Sequence, residues 1–508
     1  MIKIKKNSPG GQTTVTTIDK LPPGSDEDIL AERISSTLPD GITPRMLYGD
    51  ILRIAFPTAI ELALTSLVSM ADLIMVGGLG TWAITAVGLT TQPKFVLMTM
   101  VMAMNVGATS LVSQSRGAGD QEKARLYTRQ ALLINLALAL LFSAAGILSS
   151  RALVQFMGAA ETRVLDAGDA YLKIQMASFV FYGITSTITA VLRGIGDSRT
   201  AMYYNSVANF VNILLNYLLI GGKFGFPALG VAGASLATAI SQFAAFLLAV
   251  AALCRKNCYL HIGLHDDFRP RIKECREIIS IALPAALEQL MMRAGSIVFS
   301  RTIASLGTLE FAAHQVCMNI QSLTMMNGQI FAVSATTLMG QGLGRRRPDM
   351  AQAYTTRCRR CGMWVAVSLG LAFVLFGRPL SSLYTDDPLC ISICLNILWI
   401  VAFIQPFQSS QFIVSGALRG AGDTGFVAKL TFFTVLLLRP GLAILAVDYL
   451  HLGLSGAWMA IATDQVLRAI AILLRYRSGK WKVLCLRRGQ EKSAPDTLKP
   501  SSGASGKS

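Results

Sequence analysis

Long apolar runs recur along the chain, separated by short polar stretches. They predict helices over 51–77, 83–113, 124–148, 166–193, 200–222 and 229–253. After a basic stretch come 278–303, 310–340, 351–376, 391–418, 427–448 and 455–475. A helix crossing a bilayer needs roughly 20 such residues, whereas barrel strands use only ~9–11. The pattern therefore predicts an all-α integral membrane protein with twelve spans. The flanks break it: 1–45 and 479–508 are polar and read as disordered cytosolic arms.

The two halves of this pattern repeat. IAFPTAIE at 54–61 matches IALPAALE at 281–288, an offset of 227. Gln114, Gly117, Ala124, Tyr127 and Thr128 match Gln341, Gly344, Ala351, Tyr354 and Thr355 at the same offset. LRGIGD at 192–197 matches LRGAGD at 418–423, and LGVAGAS at 229–235 matches LGLSGAW at 452–458. Six spans per half insert both halves the same way up. The expected organisation is an N-lobe at 46–253, a linker at 254–277 and a C-lobe at 278–478, related by a two-fold along the membrane normal.

Composition sharpens this picture. The chain of 508 residues is 52% hydrophobic and only 15% charged, with a mean hydropathy of +0.50. Soluble domains carry about 25% charged residues. The formal charge of +17 does not point to nucleic acid, because the basic residues sit between spans. Arg116, Arg193, Arg345–Arg347, Arg419 and the linker arginines fall on one side. That side is expected to be cytosolic, with both termini on it, in a plasma membrane.

Against this apolar background, two carboxylates stand out in the first span. Glu61 and Asp72 are eleven residues apart, which places them within ~20° of one helix face and ~16 Å apart along the axis. A charge in hydrocarbon costs at least ~2.5–3.5 kcal/mol, so intramembrane acids read as functional by default. In the fifth span Asn205, Asn209, Asn212 and Asn216 follow i, i+4, i+7, i+11 spacing and share a face. Amides there can donate to a carboxylate or ligate a cation, or simply bind helices together.

The P-x3-E opening of each half, the Asp72-to-Gly77 end of the first span, the R-G-x-G-D turns and the G-V-x-G-A start of the sixth span together resemble the multidrug and toxic compound extrusion (MATE) family. The resemblance covers roughly residues 45–478. It implies two six-helix lobes in a V that export organic cations and drugs in exchange for protons or sodium. It is also what assigns coupling to an acid at the position of Asp72. Asn209, Asn212 and Asn216 match a polar pair in the equivalent helix, and Glu61 joins them as a candidate coupling residue.

The second half departs from the first: Glu288 repeats Glu61, but Phe299 stands where Asp72 would. Glu288, Arg293, His314 and Gln315 are candidates for substrate contact. The expected partners are the bilayer and a small cationic or amphipathic substrate, with the chain a monomer. No catalytic residue, resident cofactor or metal is expected. The R-G-x-G-D turns read as glycine helix ends followed by aspartate caps, not as a phosphate cradle. Cys254, Cys258, His261 and His265 have only loose metal-ligand spacing. A lipid-linked oligosaccharide flippase of related fold is the alternative, disfavoured by acids and amides where that activity needs cations.

Overall fold

Glycine and proline set the helix ends. The computed structural model describes residues 4–6, 14–16, 43–159, 161–263 and 266–482. Its first half holds α1 (Pro44–Gly77), α2 (Thr81–Ala118), α3 (Gln121–Phe156), α4 (Thr162–Gly194), α5 (Ser198–Gly221) and α6 (Gly230–Cys254). The second holds α7 (Ile272–Ala304), α8 (Thr308–Gly344), α9 (Pro348–Ser382), α10 (Pro388–Gly420), α11 (Thr424–Tyr449) and α12 (Gly453–Arg477). Ten of these are long and apolar enough to cross a membrane. The other two, α5 and α8, are the amide-bearing helices, whose asparagines and glutamines lower their hydropathy. The all-α arrangement of twelve long helices, six in each half, expected from the sequence is thus observed.

Helix ends differ from the apolar runs for local reasons. α1 begins at Pro44, a favoured first helical residue, and its added turns bury Leu47 beside Ile51 against the second half. The R-G-x-G-D turns behave as expected. Gly119 and Gly196 are left-handed, and Asp120 and Asp197 then accept from the backbone N–H of Lys123 and Thr200 at 3.0 and 3.2 Å. Asp423 departs from that pattern and takes the Arg475 side chain at 2.8 Å.

The linker is shorter than 254–277 suggested, because α7 already starts at Ile272. Leu260 and Ile262 pack it onto the first half, beside Ile188, Leu192 and Leu253. The expected disordered arms lie outside the described residues except at three places, the first being residues 43–45 at the start of α1. Ile4–Lys6 pairs antiparallel with Thr14–Thr16. The C-terminal arm starts later than 479, since Trp481 is fully buried and stacks on Tyr476.

The halves meet at the end that carries Arg116, Arg193, Arg345–Arg347 and Arg419, and they meet through duplicated residues. Gln114 Nε2 donates to the Gly420 carbonyl at 3.0 Å, and Gln341 Nε2 donates to the Gly194 carbonyl at 3.1 Å. Tyr354 donates to Asp50 at 2.6 Å, and Tyr127 likewise bonds Glu277. Between these pairs α2 and α8 cross at backbone contact. A Cβ on Gly117 would lie 2.1 Å from the Gln341 carbonyl oxygen, and one on Gly344 only 1.9 Å from that of Gln114. Nearer mid-length the halves touch more loosely, at Ser66 against Met326 and at Arg293 over the Phe95 ring.

Neither backbone can yield without moving a helix. Gly117→Ala and Gly344→Ala are each expected to lower stability by ~1–3 kcal/mol, the usual cost of overpacking. Thermal denaturation followed by size-exclusion in detergent checks this. Alanine at the exposed, uncrowded Gly119 turn provides the strained-backbone comparison, and Gly49→Ala, inside α1 with open space around it, should melt no lower than the native chain.

Candidate functional site

The polar faces of α1 and α5 meet in a ladder. The two helices run parallel, and three rungs share one register. Asn205 Nδ2 donates to Glu61 Oε1 at 2.7 Å, Asn209 Nδ2 to Thr65 Oγ1 at 3.2 Å, and Asn216 Nδ2 to an Asp72 carboxylate oxygen. Asn212 turns the other way. Its Nδ2 reaches Thr238 and Ser241 of α6 at 3.3 and 3.4 Å, while its Oδ1 accepts from Asn216 at 3.1 Å. A chain of amides therefore connects Asp72 to the hydroxyls of α6. All four predicted asparagines face inward, as the cost of unsatisfied amides in lipid requires.

The two acids on α1 occupy different settings. Asp72 is half-buried at the end remote from the arginines. Glu61 is buried and forms an ion pair with Arg193 at 2.7 Å. Arg193 belongs to the R-G-x-G-D turn at the end of α4, so Glu61 fastens α1 to that turn instead of sharing a site with Asp72. Its repeat does the same: Glu288 pairs with Arg419 at 2.6 Å. Where substrate contact was expected at Glu288, its Oε1 pairs with Arg419, while its buried Oε2 has no hydrogen-bond partner among the described residues.

The remaining candidates are dispersed. His314 is buried among the rings of Phe299, Phe311 and Trp458, at centroid distances of 5.9, 6.3 and 5.7 Å. Its neighbour Gln315 is exposed on another face of α8. Arg293 is exposed and lies 5.1 Å over the Phe95 ring, across the gap between halves. In the linker, burial raises the Cys258 thiol above its usual pKa, away from the thiolate that a metal takes. His265 lies outside the described residues.

Three charged residues were passed over in the sequence. Lys94 of α2 donates to Gln175 Oε1 at 3.1 Å and interacts electrostatically with Asp72. It sits within the predicted span 83–113, and the rule that singled out Asp72 applies equally to a lysine. Asp464 and Arg468 of α12 were missed in the same way. They form a buried cluster with Arg439 of α11.

Residues 57–218 and 284–445 each match the MatE family, so the match repeats once per half. Among curated proteins, the chain is 30% identical over 434 residues to a probable multidrug resistance protein NorM of Thermotoga maritima. That alignment covers 85% of this chain and 93% of the relative. It is 25% identical to the uncharacterized transporter YisQ of Bacillus subtilis, over 85% of this chain and 94% of the relative. Among solved structures, a MATE protein in the bent conformation superposes with a TM-score of 0.80 at 24% identity, over 87% of this chain and 97% of that one. A transporter of the MOP superfamily from Pyrococcus furiosus gives 0.80 at 23%, over 86% and 96%.

The buried pair at Glu61 carries a prediction of its own. Arg193→Leu strands a buried carboxylate and is expected to cost ~3–5 kcal/mol, seen as a large loss of thermal stability. Adding Glu61→Gln to that variant should recover part of the loss, since no charge is then left unpaired.

Proposed function

Because the chain belongs to the MatE family, we propose that it is a secondary antiporter that exports small organic compounds in exchange for protons. The observation that carries this reading is the Asp72 carboxylate held by Asn216, at the head of an amide chain running to α6. Proton binding at Asp72 removes the charge that Asn216 holds. The link between α1, α5 and α6 then weakens, and the helices repack. A proton crossing 100 mV contributes ~2.3 kcal/mol, which is enough to bias a balanced two-state transporter.

Lys94 interacts electrostatically with Asp72, so any arriving cation competes with it for the same carboxylate. In this arrangement the arginine-rich end is closed by the α2–α8 crossing. With that end cytosolic by the positive-inside rule, the chain is read as outward-facing with both termini inside. Glu61 and Glu288 act as anchors of α1 and α7, while exposed Arg293 and Gln315 are available to substrate. The relatives named as multidrug resistance proteins support a broad substrate range. A flippase would need a set of cationic groups for a pyrophosphate, whereas the face shared by α1 and α5 carries acids and amides.

Asp72→Asn keeps a hydrogen-bonding side chain but cannot cycle a proton. In cells it is expected to abolish energised ethidium efflux, with the variant present in the membrane at native levels. Native efflux by this variant would end the assignment of Asp72.

A further inference from the structure

The second half carries a polar cluster at the place related by the repeat to the Asn212–Ser241 contact, with its charge inverted. Arg439 follows Asn212 at the offset of 227, and Phe299 follows Asp72. Asp464 and Arg468 follow Ser241 and Ala245 in the register that aligns LGVAGAS with LGLSGAW. The first half therefore presents an acid without an arginine partner on this level. The second presents two arginines on one acid.

The cluster is buried and unbalanced. Arg439 Nε donates to Asp464 Oδ2 at 3.1 Å, and Arg468 Nη2 donates to the same oxygen at 3.1 Å. Asp464 is fully buried and Arg468 is 2% exposed. Glu288 interacts with Arg468 electrostatically but pairs with Arg419. Three guanidiniums thus share two carboxylates, and a buried charge without its counter-charge is strongly unfavourable. The donors of Arg468 are also underused. Its Nε has no partner among the described residues, and its Nη1 meets only the Met292 sulphur at 3.4 Å. A thioether is a weak acceptor on a flexible stem and can swing aside. Met292 is half-buried, and Arg293 and Ser296 beside it on α7 are exposed.

The backbone of α11 is deformed at the same place. Pro440 lacks an N–H, and π-helical turns over Phe432–Leu438 and Leu445–Tyr449 flank the Arg439–Pro440–Gly441 step. Wide turns of this kind interrupt helices mostly at functional sites.

The geometry assigns to Arg468, with Arg439, a binding site for the carboxylate of a small organic molecule, reached when Met292 moves. One excess positive charge and unengaged guanidinium donors suit a monovalent carboxylate, with which arginine makes charge-assisted bonds. Together with Asp72 in the other half, this gives the transporter an acidic and a basic pole. What the site adds to the reading of the chain as an exporter, on which it rests, is the pair of residues that takes a substrate's carboxylate.

The test is fluorescence-polarisation binding of two dyes to the full-length protein in nanodiscs. Rhodamine 110 carries a free carboxylic acid, and rhodamine 123 is its methyl ester. Arg468→Met is expected to weaken rhodamine 110 binding at least about tenfold, as loss of a charged hydrogen bond does. Rhodamine 123 binding should stay within about twofold of native. Equal loss for both dyes, no loss for either, or a native protein that binds only the ester would overturn the site. Should Arg468→Met not survive solubilisation, Arg439→Gln also cancels the excess charge, and the same split between dyes is required of it. Binding needs no ion gradient, so this result is independent of whether Asp72 drives transport.

Discussion

The crossing of α2 and α8 at backbone contact is the constraint from which the rest follows. Gly117 lies on the Gln341 peptide, and Gly344 lies on that of Gln114. Each glutamine then caps the last carbonyls of an R-G-x-G-D helix in the opposite half. The contact is self-complementary, as a two-fold interface must be. Both halves must therefore contribute the same residues to it, which explains why Gln114, Gly117 and Tyr127 recur as Gln341, Gly344 and Tyr354. Arg193 and Arg419 carry the constraint inward: they leave the same turns and fasten α1 and α7 through Glu61 and Glu288.

Away from the crossing no such symmetry is enforced, and the halves diverge in charge. The first half keeps an intramembrane acid, an amide relay and a lysine around Asp72. The second fills the position of Asp72 with Phe299, packs His314 against it, and concentrates arginine around Asp464. One half is thereby suited to hold and release a proton. The other carries a surplus of positive charge that a permanent counter-ion would otherwise neutralise.

Much of this was legible from the residues. The spans, the repeat and the inward face of α5 follow from periodicity and from the cost of polar groups in lipid. The spacing of Asn205, Asn209 and Asn216 matched Glu61, Thr65 and Asp72 because two parallel helices share one rise per residue. The partner of Glu61 was not legible. Arg193 reads from sequence as a topological mark at a helix end, and only the fold shows its side chain reaching back into the bundle. The burial of His314 was not legible either, because its aromatic surroundings come from three different helices. Lys94, Asp464 and Arg468 obeyed the rule applied to Asp72, but isolated charges in long apolar runs are easily read past. The π-helical winding of α11 has no pattern of its own beyond Pro440.

The central claim is that a proton exchanged at Asp72 drives export. It is tested most directly in proteoliposomes holding a trapped pH dye and a fluorescent substrate. An imposed proton gradient should move substrate in the opposite direction and collapse as it does so, with or without sodium. Substrate movement that follows an imposed sodium gradient and leaves the pH dye unchanged would contradict the account.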